Sequence, residues 1–192
     1  MFKFKNISFV LLIIFLTACG KSSVPRPYGY FRVDLPSHTY VHYSSVDMPY
    51  VFDKSDIAII NTHSADNKKF WIDIFYPQLN ATIYCSYFKI ENNLNELSED
   101  SRKFVYQHTV RADGISEKVF NNPEKEVYGI LYELKGNTAS TTQFVLTDSV
   151  KHFLRGALYF GNVPNKDSIA PMNDFIKKDI VRLMESLEWK KL

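Results

Sequence analysis

Asp148, Ser149 and His152 place a carboxylate, a hydroxyl and an imidazole within five residues, the three groups that hydrolases use as orienting acid, nucleophile and base. A working triad usually draws its members from separate elements, whereas adjacent Asp and Ser are ordinary turn formers, so this stretch reads as a hairpin turn. The five histidines, His38, His42, His63, His108 and His152, are scattered, and none is paired at ligand spacing within a helix. His38 and His42 stand four apart, but Pro36 and β-prone neighbours oppose a helical face there, and no metal site is expected. The G-x-S-x-G, H-E-x-x-H, C-x-x-C and glycine-rich phosphate-loop patterns are all missing. The expectation is a protein that is not an enzyme and carries no cofactor.

The strongest chemical signature belongs to Cys19. Lys3 and Lys5 open the chain, a run of about ten mostly apolar residues extends from Ile7 to Leu16, and Leu16-Thr17-Ala18-Cys19-Gly20 closes it. A charged start, a short apolar middle and small residues at the exit make a secretory signal, too short for the roughly 20 residues of a spanning helix. Leu16-Thr17-Ala18-Cys19 resembles the bacterial lipobox, which implies a diacylglycerol on the Cys19 sulfur, cleavage just before it and often a third acyl chain on the new amino terminus. One acyl chain binds a bilayer only marginally, but each buried methylene adds about 0.8 kcal/mol, so two or three chains anchor durably. The expected organisation is a signal peptide over 1–18, a lipidated tether over 19–29 and a single domain over 30–192.

Composition narrows the partners. The chain carries 23 Lys plus Arg against 21 Asp plus Glu, and removing Lys3 and Lys5 with the signal leaves the remainder balanced. Without a basic run, nucleic acid is not an expected partner. At 45% hydrophobic and 15% aromatic, the chain has enough apolar surface for one core. There are two cysteines; with Cys19 acylated only Cys85 remains, in Ile83-Tyr84-Cys85-Ser86-Tyr87, where it reads as a small buried hydrophobe.

The elements that must hold these residues follow from periodicity. Lys21 to Tyr28 contains Pro25 and Pro27 and suits an extended tether. Short β-prone pieces are expected over 30–33, 40–43, 50–52 and 57–61, then a hairpin over 70–76 and 82–90 joined by Pro77 to Asn80. Leu94, Leu97, Ser101, Phe104, Val105, His108 and Ala112 recur at helical spacing and predict a helix of about 18 residues ending before Gly114. Three strands over 127–134, 141–147 and 152–160 should form an antiparallel meander, with apolar residues on both alternations and hence cover on both faces. Ile169 to Leu187 is a second amphipathic helix with Ser168 as its cap and Pro171 in its first turn. The fold class is therefore α+β: a mostly antiparallel sheet covered by helices on both faces, a three-layer sandwich resembling the PsbP/Mog1 topology.

Exposed aromatics offer a candidate surface. Trp71, Tyr76, Tyr84 and Tyr87 are placed to line a groove on the first hairpin, although core or sheet packing is the favoured account of them. Arg26, Tyr28, Tyr30, Phe31 and Arg32, just past the tether, stand nearest the bilayer and are candidate partner contacts.

Several stretches together resemble the gliding-motility lipoprotein GldD family of Bacteroidetes. They are the opening from Pro25 to Pro36, Trp71-Ile72-Asp73-Ile74-Phe75-Tyr76-Pro77, Gly136-Asn137-Thr138-Ala139-Ser140, Thr147-Asp148-Ser149-Val150, and the ending Glu185-Ser186-Leu187-Glu188-Trp189-Lys190. Met48 stands where relatives commonly carry a cysteine. The resemblance implies a periplasm-facing envelope lipoprotein, without catalytic residues, that serves gliding motility and the type IX secretion machinery through other envelope proteins. Only Cys19 carries over as a functional position. No acid follows it before Asp34, which favours a periplasm-facing anchor, in the outer rather than the inner membrane. A periplasmic small-ligand or peptide carrier using the aromatic hairpin is the alternative. Asp148-Ser149-Val150 and Asp167-Ser168-Ile169 also resemble an O-glycosylation acceptor motif, and turn and cap roles explain both equally well.

Overall fold

A computed structural model of the chain describes residues 34–107, 112–161 and 166–190. In chain order the strands and helices are β1 (Tyr40–Tyr43), β2 (Tyr50–Ser55), β3 (Ile59–Thr62), β4 (Ile72–Tyr76), β5 (Ala81–Lys89), α1 (Leu94–Gln107), β6 (Ala112–Asn122), β7 (Val127–Gly136), β8 (Ser140–Thr147), β9 (His152–Phe160), α2 (Lys166–Ser186) and β10 (Glu188–Trp189). Seven strands form one antiparallel sheet in the order β3-β4-β5-β9-β8-β7-β6. β2 pairs with β1 and β10 in a second, three-stranded sheet.

Local chemistry sets the reversals. Pro77 opens a short 3₁₀ turn, and Asn80 closes it at φ 46°, a left-handed conformation that asparagine tolerates. Tyr76 is thereby set opposite Ala81, which fixes the register of the β4–β5 hairpin. The expected meander forms over β7, β8 and β9, with Gly136 supplying φ 111° at the first reversal. β9 then lies beside β5 and joins the hairpin to the meander.

Three expectations need correction. Ala112, assigned to the stripe of the first helix, begins β6, a strand that periodicity missed; the helix is described over Leu94–Gln107. β6 is the sheet edge: Asp113, Glu117, Lys118 and Val119 are exposed, so the strand keeps charges and lacks the regular alternation of a half-buried strand. α2 begins at Lys166, ahead of Ser168, so Ser168 is not its cap and Pro171 lies inside the helix. β10 was also unexpected, because two residues carry no periodicity and their partner is more than a hundred residues away in β2. The expected strand over 30–33 and His108 lie outside the described residues.

One large cluster joins a single sheet face, through Ile74, Ile83, Leu131, Phe144 and Leu154, to Phe175, Ile176, Ile180 and Leu183 of α2 and to Tyr50 and Phe52 of β2. A smaller one on the opposite alternation joins Val105 of α1 to Tyr132 and Leu134 of β7. Each fully buried side chain of this size contributes about 1.5–3 kcal/mol. Gly156 is a packing requirement, since a Cβ there would fall 2.2 Å from the Phe144 ring.

Candidate functional site

The residues singled out by sequence do not converge. Cys19, Arg26, Tyr28, Tyr30, Phe31 and Arg32 lie outside the described residues. The hairpin register sets Tyr84 opposite Asp73 and Tyr76 opposite Ala81, so Tyr76 and Tyr84 occupy opposite faces. Tyr76 is 1% exposed within the core, whereas Tyr84 is 48% exposed. Trp71 donates its indole N–H to the Tyr87 carbonyl at 2.9 Å and packs edge-on against Phe88. These three aromatics form no common groove, because even-numbered residues of β4 face odd-numbered residues of β5, which sets Tyr76 with Ala81 and Ile83 and away from Tyr84.

A buried carboxylate sits in the C-terminal half of α2. Asp179 is 3% exposed and accepts hydrogen bonds from the Tyr76 hydroxyl at 3.1 Å and the Tyr40 hydroxyl at 3.1 Å, with His38 Nδ1 at 2.7 Å. The His38 ring also stacks on Phe175 at 4.2 Å. An acid buried on an apolar helix face is tolerated when its lone pairs are filled, and here three side chains fill them. Burial, then the neighbouring carboxylate, pushes the Tyr40 hydroxyl up to about 12. The signal was available in the sequence: Phe175, Asp179 and Leu183 share one side of the helix, so Asp179 interrupts the apolar stripe.

Asp148, Ser149 and His152 form the expected turn. Asp148 Oδ1 accepts from the backbone N–H groups of Val150, Lys151 and His152 at 2.8–2.9 Å. Burial would raise this carboxyl, but the three donors outweigh burial and hold it below the ordinary range. Ser149 is exposed at φ 66°, and its N–H bonds to Thr147 Oγ1. His152 is buried, hydrogen-bonded through Nδ1 to the Tyr87 hydroxyl at 2.7 Å and stacked on Trp189 at 5.0 Å, and burial lowers its pKa. With Lys125, Tyr128, Lys151 and Lys190 it lines a cleft of about 540 Å³.

The remaining described histidines are likewise paired, His42 with Asp53 at 3.1 Å and His63 with Asp73 at 3.0 Å. Among the described residues no three His, Cys, Asp or Glu side chains are grouped to hold a metal. Cys85 is 2% exposed, and burial pushes its thiol pKa up, away from the thiolate that a nucleophile needs.

On the α1 side of the sheet, Arg155 of β9 places its guanidinium 4.5 Å from the centre of the Phe104 ring. Arg155 and Phe104 share with Tyr84, Ser86, Ala157 and Tyr159 the lining of a cup of about 270 Å³. Sequence reading passed over Arg155, although a charge in the middle of a strand apolar on both alternations was a visible irregularity.

This arrangement of strands and helices defines a PsbP-like fold. Among solved structures it is similar to the solution structure of cyanobacterial PsbP (CyanoP) from Synechocystis sp. PCC 6803, with TM-score 0.50, 12% sequence identity, and coverage of 85% of this chain and 99% of that one. Residues 20–189 match the family described as gliding motility lipoprotein GldD, and the chain belongs to that family. Comparison with curated proteins gives no match. Membership makes this a gliding-motility-associated lipoprotein of the cell envelope. No helix among the described residues is long and apolar enough to cross a membrane.

Proposed function

We propose that the protein is a non-catalytic component or assembly factor of the gliding and type IX secretion machinery, held on the periplasmic side of a membrane, the outer membrane in preference to the inner, by acylated Cys19. The observation that carries this reading is the family match beginning at Gly20, directly after Leu16-Thr17-Ala18-Cys19. The side-chain chemistry supports it: the described imidazoles are engaged with Asp or Tyr, Asp179 is saturated, and Cys85 is buried. Confinement to a bilayer raises the effective concentration of a partner on the same membrane, so a modest interface there suffices. Residues 1–18 act as the signal, 19–29 as the tether and 30–192 as one domain, with Arg26, Tyr28, Tyr30, Phe31 and Arg32 as the contacts nearest the bilayer. The two apolar clusters support a three-layer arrangement with the seven-stranded sheet in the middle.

The test is complementation of gliding and secretion by Cys19→Ala exported through an unrelated signal. The variant should accumulate folded and fail to restore either activity. Full restoration would remove membrane confinement from the mechanism.

A further inference from the structure

The cup on the α1 side holds the guanidinium of Arg155, which has no carboxylate at ion-pair distance among the described residues. That guanidinium lies over the Phe104 ring; burial disfavours the charge, and Tyr159 and then Asp100 favour it. A partly desolvated guanidinium normally sits against an anion that fills its planar fork of donors, and an aromatic face offsets only part of the lost hydration. Next to it lies the smallest side chain of the wall, Ala157, flanked in register by Tyr84 on β5 and Gln143 on β8.

A second observation concerns that neighbouring strand. Both amide atoms of Gln143 and the Ser140 hydroxyl are buried without a hydrogen-bond partner. They pair across the ladder with Ala157 and Tyr159, either side of a register shift, which puts them on the same face as the cup. Unfilled buried polar groups are few in native proteins, and a concentration of them beside a guanidinium that meets an aromatic face marks a place made for a polar guest.

We propose that this cup binds a carboxylate carried on a short apolar or aromatic body, with Arg155 receiving the carboxylate and Tyr84, Phe104 and Tyr159 enclosing the body. A carboxylate matches one guanidinium in charge and in planar two-point geometry. Phosphate would call for further cations, and among the described residues Arg155 is the sole basic one lining the cup. A volume of about 270 Å³ suits one amino-acid side chain or a small aryl acid. Tyr84, 48% exposed, leaves the entrance open to solvent. Two sources present this chemistry: the terminal residue of a polypeptide, and a free small carboxylic acid. The inference stands whether or not Cys19 is acylated.

The experiment is calorimetric titration of the full-length protein in detergent with acetyl-Gly-Gly-Phe bearing a free carboxylate, with the same peptide as its amide, and with 3-phenylpropionate. The free-acid peptide should bind saturably and its amide about tenfold or more weakly, the loss of a charge-assisted hydrogen bond. Phenylpropionate binding as well as the acid peptide assigns the cup to small acids, and a clear preference for the peptide assigns it to chain ends. Arg155→Gln should weaken the acid about tenfold or more and leave the amide unchanged. Ala157→Leu, which fills the hollow and keeps the charge, should abolish both and so tests the site even if Arg155→Gln fails to fold. Equal binding of acid and amide, no binding of either acid, or undiminished binding by folded Ala157→Leu would overturn the proposal.

Discussion

The Tyr76 hydroxyl donates to Asp179 Oδ2 at 3.1 Å, joining β4 to α2 across 103 residues of sequence. The other oxygen of the same carboxylate receives Tyr40 and His38, so a single acid ties the first strand, the large sheet and the last helix together. Removing the acid strands three polar groups, whereas removing one hydroxyl strands half of a carboxylate. Asp179→Ala should therefore cost about 3 kcal/mol and Tyr76→Phe about 1 kcal/mol, measured by urea unfolding. Equal losses would mean that the carboxylate does not organise the cluster.

His152 predicts an acid-sensitive term. Burial lowers its folded pKa beneath the unfolded value of roughly 6.5, with Asp148 opposing and Lys151 assisting the shift. The unfolded chain then takes up a proton first as the pH falls through that value, so this contribution to stability is intact above roughly pH 6.5 and declines below it. Proton NMR should show the His152 imidazole neutral where an exposed histidine is half protonated. His152→Gln should flatten the fall in unfolding free energy between about pH 7 and 5.

At Gly156 the limit is space. The Phe144 ring occupies the position of a side chain, and the ring is fully buried, so neither can yield without repacking the centre of the sheet. Gly156→Val should cost about 3 kcal/mol or prevent folding, and Gly156→Val with Phe144→Ala should recover part of that loss in thermal unfolding.

Cys85 should be protected by the fold as a whole. Its thiol is in the core and burial keeps it protonated, so alkylation located by peptide mapping should track global unfolding in denaturant. Labelling of the native protein at the rate of a free thiol would contradict the assigned burial.

Much of the sheet was legible because its signals are local. The Pro77 to Asn80 turn, the β-branched runs of β4 and β5, the turns of the meander and the stripe of α2 each lie within a few residues of what they specify. β6 and β10 were hidden for the opposite reason: an exposed edge keeps its charges, and a two-residue strand is defined by its partner. The supposed groove of Trp71, Tyr76 and Tyr84 fails on parity alone, which the hairpin register makes explicit. Arg155 and Asp179 were each visible as charges out of place, but what surrounds them depends on contacts between strands and helices far apart in sequence.

Anchoring through Cys19 is the claim on which the functional reading rests, and intact mass spectrometry of the protein extracted from its native envelope tests it directly. The predicted result is a chain beginning at Cys19 whose mass includes a diacylglycerol and additional acyl lipid. An unmodified Cys19 thiol on a protein recovered from the aqueous fraction would contradict the account.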